Sequence, residues 1–531
     1  MQKQPNRLWL TALFLGLCFD FLFYNHPRGI SFAIYVLLTL AAGFVLLWLD
    51  GIRPARRTLI LPPFILFFAV MTFSRQEPLS AFLAYALTLF LMAGLVVTYT
   101  GGEWLRYSLT DYFSRALDLF GSLGARPAGF AFESQRLKHE TLAAGQIGKS
   151  PSPFWPVIRG LLFAIPLVVF FAALLSSADM IFAQRLNGLV SVFRLENLPE
   201  YIFRTFSIIM VGYGLAGIYL HAARSSSDEK LLGLEKPVLP PFLGFTEAAI
   251  MLGSVVLLFG AFVLLQFQYF FGGQANIHLD GFTFADYARK GFGELVIVAF
   301  FALLLFIGLS TISKREGTRQ SRMFSGLGLA LLALVGVMLV SAYQRLGLYE
   351  TAYGFTRLRA YTHVFMIWVG LLLVGVVVLE LLRRQRGFAL AILLAAVGFA
   401  FSLSLLNVDR FIFERNVARF EQSQDLDVGY LASLSSDAVP AMLAVYQSPA
   451  TGEALRYRVG AALACMRHIA QAQQVRQDWQ SFHLSDYRAG QGLAGVAGSL
   501  QEYRIDDSDW PVTVTTPLAS KFDCSSVTMG D

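Results

Sequence analysis

The sequence predicts an all-α fold: a polytopic transmembrane helical bundle of about eleven spans, followed by a C-terminal extramembrane helical domain. Of its 531 residues, 56% are hydrophobic and only 15% are charged, whereas soluble domains carry roughly 25% charged residues. The mean hydropathy is +0.56. The 45 glycines suit membrane helices, in which glycine is more frequent than in soluble ones. This composition excludes disordered, collagen-like and disulfide-scaffold proteins.

Eleven apolar runs are long enough, or nearly so, to cross a bilayer core, which requires roughly 20 residues per helix. They are Leu8–Tyr24, Gly29–Leu49, Thr58–Phe73, Leu79–Tyr99, Val157–Leu175, Tyr201–Tyr219, Phe245–Phe271, Gly293–Ser310, Phe324–Tyr343, Val364–Leu382 and Gly387–Leu406. The third run contains Pro62 and Pro63, so we expect it to be tilted or irregular. The first run follows Lys3 and Arg7 as a signal peptide would, but it lacks a small-residue cleavage site, which favours a retained span.

The distribution of Lys and Arg between alternate loops predicts the orientation of the bundle. The side that holds the N-terminus carries about 21 of these residues, and the other side carries about 9. We therefore expect a cytoplasmic N-terminus and, after eleven spans, an extracytoplasmic C-terminal domain. One span more or fewer would reverse that last assignment. The net charge of +6 restates this bias and favours anionic membrane lipid as a partner, not nucleic acid.

A cytoplasmic loop, residues 101–156, interrupts the transmembrane domain that we place at residues 1–420. Within Glu103–Leu123, apolar residues recur at helical spacing with charged residues between them. This pattern is typical of an amphipathic helix on the inner membrane surface, or of a helix that packs on neighbouring loops. Residues 124–156 are rich in Gly, Ser and Pro, and we expect a loop there.

From about residue 421 the chain becomes polar, which predicts a soluble and mainly helical domain over residues 421–531. We expect helices within Leu426–Gln447, Gly452–Trp479 and Tyr487–Tyr503. Ser435, Ser436 and Asp437 offer helix caps. The last residues are expected to be extended or loose.

The chain has three cysteines, Cys18 in the first span and Cys465 and Cys524 in the C-terminal domain. If that domain lies outside the cytoplasm, Cys465 and Cys524 could form a disulfide. Two free thiols are the alternative, since spacing alone does not identify a pair.

Ionisable residues are missing from the middle of every predicted span and lie near span ends instead. An ionisable residue at the bilayer centre costs roughly 2.5–3.5 kcal/mol, so such residues usually mark function. Their absence argues against a proton-coupled pump or a voltage sensor. A transporter that uses backbone carbonyls or hydroxyls remains compatible with the sequence.

Three segments on the predicted outer face combine arginines, carboxylates and tyrosines: 276–294, 345–363 and 407–420. The candidate binding residues within them are Asp280, Asp286, Arg289, Tyr349, Glu350, Tyr353, Arg357, Arg359, Tyr361, Asp409, Arg410, Glu414 and Arg415. Arginine forks match phosphate and carboxylate oxygens, and tyrosine can donate a hydrogen bond or stack. The set would suit a lipid phosphate, a polyprenyl-linked substrate or an anionic sugar. Alternatively, these residues merely join helix ends and form the usual aromatic belt.

The sequence shows no motif for nucleotide, zinc or serine-hydrolase chemistry, and we expect no cofactor and no metal. Asp280 and Asp286 could form a carboxylate pair for metal or acid–base work, but no third ligand accompanies them.

Several strings of this chain resemble a bacterial family of polytopic membrane proteins known only as a domain of unknown function. They are YGFTRLRAY within Tyr349–Tyr361, the adjacent NVDRFIFERN, LSSDAVPAM at 434–442 and DWQSFHLS at 478–485. The likeness extends over most of the chain from about Phe154. It implies a multi-pass protein of the bacterial inner membrane, and it brings no activity, cofactor or catalytic residue with it.

Three functions remain open on this basis, and the sequence does not decide whether the protein is an enzyme. The first is the binding of an anionic lipid or glycan group at the outer face in envelope assembly. The second is a transporter or permease. The third is a signalling or scaffold protein whose C-terminal domain recruits a protein partner.

Overall fold

The computed structural model describes residues 5–143, 198–227, 241–271, 292–472 and 478–524, together with residue 231 and a few isolated positions between 160 and 179. Helices dominate the described chain. They are α1 (Pro5–Phe23), α2 (Ile30–Leu49), α3 (Leu61–Ser74), α4 (Pro78–Val97), α5 (Leu109–Ala143), α6 (Leu198–Arg224), α7 (Phe245–Phe271), α8 (Phe292–Ile312), α9 (Thr318–Tyr353), α10 (Arg357–Leu381), α11 (Gly387–Leu406), α12 (Val408–Ser423), α13 (Val428–Ala432), α14 (Val439–Gln447), α15 (Glu453–Ala472) and α16 (Leu484–Gly495).

Nine helices in the described ranges are long and apolar enough to cross a membrane: α1, α2, α4 and α6 to α11. The predicted third span forms a shorter apolar helical stretch, Thr58–Ser74. The predicted fifth span, Val157–Leu175, lies almost wholly outside the described residues. The chain is therefore a multi-pass membrane protein, and the exact number of spans stays a prediction.

The helices form two compact units, of which the first comprises Met1–Asn25, Leu38–Arg53 and Asp118–Ser225. Within it α1 and α6 pack with their backbones in close contact. A Cβ atom on Gly16 would lie 2.4 Å from the carbonyl oxygen of Ile208, so only glycine fits there. The Arg204 guanidinium binds the Asp20 carboxylate at 2.6 Å near one end of this helix pair.

Helix α5 corrects the prediction of a loop after residue 123, because it continues to Ala143 through Pro127. Tertiary contacts outweigh the unfavourable local sequence. Phe130 is fully buried against α1 and α6. The Tyr213 hydroxyl donates a 2.6 Å hydrogen bond to the Gly124 carbonyl, in the turn where proline removes a backbone donor.

The second unit comprises His26–Leu37, Pro54–Leu117 and Ser226–Asp531. Its membrane part has a core formed by α7, α8, α9 and α10, with Leu252, Phe306, Leu331 and Val376 fully buried. Helix α11 packs on α10 and on α4, and α4 packs on α3.

Helix connections of this second unit meet in two groups. In the first group, the connections after α1, α3 and α9 contact the C-terminal domain. Pro27 accepts a 3.0 Å hydrogen bond from the Ser481 hydroxyl, and the backbone N–H of Gln76 donates to Asp437 at 2.8 Å. In the second group, the connection after α2 contacts the connection after α4. The Ala55 N–H donates to the Tyr99 carbonyl at 2.7 Å. This grouping agrees with the predicted alternation of these loops between two sides.

The C-terminal domain shares its core with the last membrane helices. Its buried cluster contains Leu403 and Ile412 together with Leu431, Leu463 and Val514. Helix α12 runs through the predicted boundary at residue 420 without interruption.

Three short strands complete this domain: β1 (Arg504–Asp506), β2 (Thr513–Thr515) and β3 (Lys521–Asp523). They form an antiparallel meander, with Ile505 opposite Val514 and Val514 opposite Phe522. Cys465 of α15 and Cys524 at the end of β3 form a disulfide.

Candidate functional site

The predicted pair Arg357 and Arg359 lies at the start of α10, and the helix directs the two side chains apart. Arg357 forms a bidentate ion pair with Asp409 of α12, with both N–O distances at 2.7 Å. Asp409 is fully buried and also accepts the backbone N–H of Ser435 at 2.7 Å. The Arg357 N–H donates to the Tyr430 hydroxyl at 2.8 Å. Arg357 therefore joins α10, α12 and the C-terminal domain.

Burial raises the pKa of Tyr430 to about 12, so this hydroxyl keeps its proton at physiological pH. Tyr361, one turn after Arg357, donates a hydrogen bond to Glu77. The Glu77 carboxylate is buried and caps α4 by accepting the N–H groups of Leu79 and Ser80 at 2.8 Å. These contacts form one continuous polar network between membrane helices and the C-terminal domain.

Asp437 anchors the connection between α3 and α4 to the C-terminal domain. It accepts the backbone N–H groups of Gln76 and Glu77, at 2.8 and 3.1 Å. The Ser485 hydroxyl donates to its other oxygen, and the Arg75 guanidinium lies 3.8 Å away. These donors compensate for the burial of the Asp437 charge.

Arg359 contacts the end of α9. Its guanidinium lies 4.2 Å from the ring centroid of Tyr349 and donates to the carbonyls of Tyr353 and Gly354. The Tyr349 and Tyr353 rings themselves lie 4.9 Å apart. These candidates thus form a cation–π cluster that fixes the α9–α10 turn.

Glu350 and His363 form a buried acid–base pair between α9 and α10. The His363 Nε2 atom lies 2.6 Å from the Glu350 carboxylate, whose side chain is only 4% exposed. The Tyr343 ring packs edge-on against the imidazole at 4.6 Å. Glu350 is a candidate from the sequence, but its pairing with His363 is visible only in the structure.

The remaining described candidates lie on α12. Arg410 and Glu414 form an exposed ion pair at 2.7 Å, one helical turn apart, and Arg415 packs 5.2 Å above the ring of Phe411. The other three candidates, Asp280, Asp286 and Arg289, lie outside the described residues.

A cleft of about 1030 Å³ lies in the second unit, beside the polar network, and no sequence motif indicates it. One wall consists of residues 27, 28 and 76, which belong to the connections after α1 and α3. The rest of the lining comes from the part of the chain that contains α13 to α16. The polar lining includes Arg28, Gln76, Arg467, His483, Asp486 and Gln491, and the apolar lining includes Met466, Ile469 and Leu493. The cleft therefore lies where two connections between predicted spans meet the C-terminal domain.

The cleft contains two arginines that form no ion pair with any described carboxylate. Arg28 is exposed, and its guanidinium lies 5.9 Å from the Tyr85 ring centroid. Arg467 uses one N–H to bind the Ala497 carbonyl at 2.9 Å. The remaining donors of both side chains can bind an anionic group, which arginine accommodates bidentately.

The carboxylate and the histidine of the cleft are engaged by the protein itself. Asp486 accepts the Ser436 hydroxyl at 2.6 Å and the Gln76 side-chain amide. Burial lowers the pKa of His483, although Asp486 and Asp437 act in the opposite direction. With His483 neutral, Arg28 and Arg467 are the positive charges of the cleft lining, and the Asp486 carboxylate is its negative charge.

Two strings that carry the family resemblance, LSSDAVPAM and DWQSFHLS, supply Ser436, Ser481 and His483 to the cleft lining. They were the available sequence signal for this site. The sequence does not show that these strings and Arg28 form one site, because no motif or spacing relates them to Arg28, more than four hundred residues earlier.

Comparison with known families identifies one match. The family described as Domain of unknown function (DUF4153) matches residues 63–445. No curated protein and no solved structure matches the chain.

Proposed function

Because the chain belongs to the family Domain of unknown function (DUF4153), whose description assigns no activity, we propose its function from the site alone. The protein is a multi-pass membrane protein that binds an anionic lipid or glycan group in the cleft of its C-terminal domain. The binding serves assembly of the cell envelope at the outer face of a bacterial inner membrane.

The observation that carries this proposal is the position of Arg28 and Arg467 in the cleft. Both line a space of about 1030 Å³, which is of the size that small-molecule ligands occupy. Together with the apolar side chains beside them, they suit a ligand with a charged and an apolar part.

The outer face is favoured by two features of the chain. Disulfides persist in oxidising compartments and are rare in the cytosol, and the C-terminal domain contains the Cys465–Cys524 bond. The excess of Lys and Arg on the opposite set of loops favours the same orientation.

Binding of dihexanoyl phosphatidylglycerol to the detergent-purified full chain tests the proposal by calorimetry. We expect the double variant Arg28→Ala, Arg467→Ala to lower the affinity by about a hundredfold, since each lost charge-assisted hydrogen bond contributes roughly 1.5–3 kcal/mol. Arg467→Lys, which keeps the charge, should lose less.

Arg488→Ala is the matched control, because Arg488 is an exposed arginine on α16, a helix that contributes to the cleft, and does not itself line the cleft. It should bind as the unmodified protein does. Equal affinity of the double variant and the unmodified protein would reject the proposal.

A further inference from the structure

An apolar surface continues from Arg28 along the membrane helices. It indicates where the ligand of the cleft comes from. This arginine lines the cleft and also lies over the ring of Tyr85, on α4. Tyr85 packs edge-on against Phe32 of α2, with ring centroids 4.6 Å apart. The cleft and an aromatic surface on two spans therefore meet at one side chain.

The aromatic surface continues along α4 away from the cleft. Phe82, Tyr85 and Leu89 follow one another at spacings of three and four residues, which places them on one face of the helix. Phe82 is 66% exposed and Leu89 is 58% exposed. From Phe82 to Leu89 this face covers about 10 Å of helix axis.

From Arg28 along α4 the side chains change from charged to apolar. This is the order of the headgroup and the acyl chain in a lipid. The guanidinium of Arg28 lies at the end where α2 begins, and Phe82 and Leu89 on the α4 face are apolar. An exposed apolar face within a membrane span contacts acyl chains, while arginine at headgroup depth attracts phosphate.

We propose that the cleft takes its ligand from the bilayer: an anionic phospholipid, or another lipid-linked phosphate, binds with its phosphate at Arg28 and its acyl chain along Phe82, Tyr85 and Leu89. This inference rests on the proposed function and narrows it to one ligand class and one route. The ligand enters the cleft laterally from the membrane. On this route both its headgroup and its acyl chain pass Arg28.

Photo-crosslinking in nanodiscs tests this inference on the full chain. Two lipids carry the same diazirine in the acyl chain, one with a phosphatidylglycerol and one with a phosphatidylcholine headgroup, in phosphatidylcholine discs. Mass spectrometry measures labelling of residues 82–89. Leu371 and Val374 of α10 are the internal reference, because they are 54% and 62% exposed on a different span.

We expect phosphatidylglycerol to label residues 82–89 about tenfold more than phosphatidylcholine does, relative to the reference, as one charge-assisted contact allows. Arg28→Ala should bring that ratio close to one, and Arg488→Ala should leave it unchanged. A second variant, Phe82→Glu, should lower the labelling without affecting the cleft.

The outcomes separate this inference from the proposed function. If labelling shows no headgroup preference while glycerol 1-phosphate still binds in the cleft by calorimetry, the ligand comes from water and only the lateral route is rejected. A preference that survives in Arg28→Ala overturns the role of Arg28. If the cleft binds neither probe, both proposals are rejected.

Discussion

At the residue scale, Arg357 shows how far a sequence can predict a site. The sequence identified Arg357 and Asp409 as members of a polar set at span ends, and the structure pairs them through two 2.7 Å contacts. The sequence alone does not show that Arg357 and Asp409 pair, because the two residues lie fifty-two positions apart. The pair joins helices to the C-terminal domain, so its first consequence is stability.

Arg357→Ala should lower the free energy of unfolding by about 3 kcal/mol, because it leaves the buried Asp409 carboxylate without its cation. The thermal unfolding midpoint of the purified protein measures this loss. The exposed pair provides the control: Arg410→Ala should cost less than about 1 kcal/mol. An Arg357→Ala midpoint equal to that of Arg410→Ala would show that the ion pair contributes no net stability.

His483 predicts a dependence of stability on pH. Burial lowers its pKa in the folded protein below the ordinary value of 6.5, so the unfolded chain takes up a proton first as the pH falls. This contribution to stability is therefore complete above about pH 6.5 and is lost as the pH falls through the folded pKa.

Unfolding midpoints of the unmodified protein and of His483→Gln between pH 8 and pH 5 measure this effect. One proton changes the free energy of unfolding by at most about 1.4 kcal/mol per pH unit. His483→Gln should lose that slope. Identical slopes in both proteins would assign the pH dependence to other groups.

At the element scale, the sequence predicted most spans and failed where packing overrides local preference. Helix α5 is the clearest case, since Gly124 and Pro127 argue for a loop while Phe130 is buried in a helix. The C-terminal helices were predicted with shifted ends. Leu426–Gln447 is two helices, α13 and α14, because Asp427 caps a short first helix and the chain turns before Val439.

The disulfide joins two elements of the C-terminal domain, α15 and the end of β3, across a separation of 59 residues. By the chain-entropy relation, a loop of that length stabilises the fold by about 4 kcal/mol. Replacing both Cys465 and Cys524 by alanine should lower the unfolding midpoint of the domain accordingly.

Maleimide labelling of intact cells that carry the Cys18→Ser variant tests both the bond and its compartment. The two remaining cysteines should react only after unfolding and reduction. Reaction after unfolding without a reductant would show that the pair is reduced in the cell, and the outer orientation would lose its main support.

At the scale of the whole molecule, composition predicted the class of protein, and the sides of the membrane on which its loops lie stay a prediction. The connections after α1, α3 and α9 do contact the C-terminal domain. Composition could not predict that this domain shares a core with α11 and α12, since burial of Leu403 and Ile412 depends on contacts distant in sequence. For the same reason it could not predict the cleft, whose two walls come from opposite ends of the chain.

The contact between Ile30 and Phe482 also sets an order of assembly. The Ile30 N–H donates to the Phe482 carbonyl at 3.0 Å, yet the ribosome adds Phe482 some 450 residues later. At roughly 5–20 residues per second, the early helices wait at least about 20 s for this partner. Until then the start of α2 presents an unmet backbone donor at the membrane surface. The start of α2 therefore gains this backbone partner only after most of the chain has been synthesised, so its final contacts form late in folding.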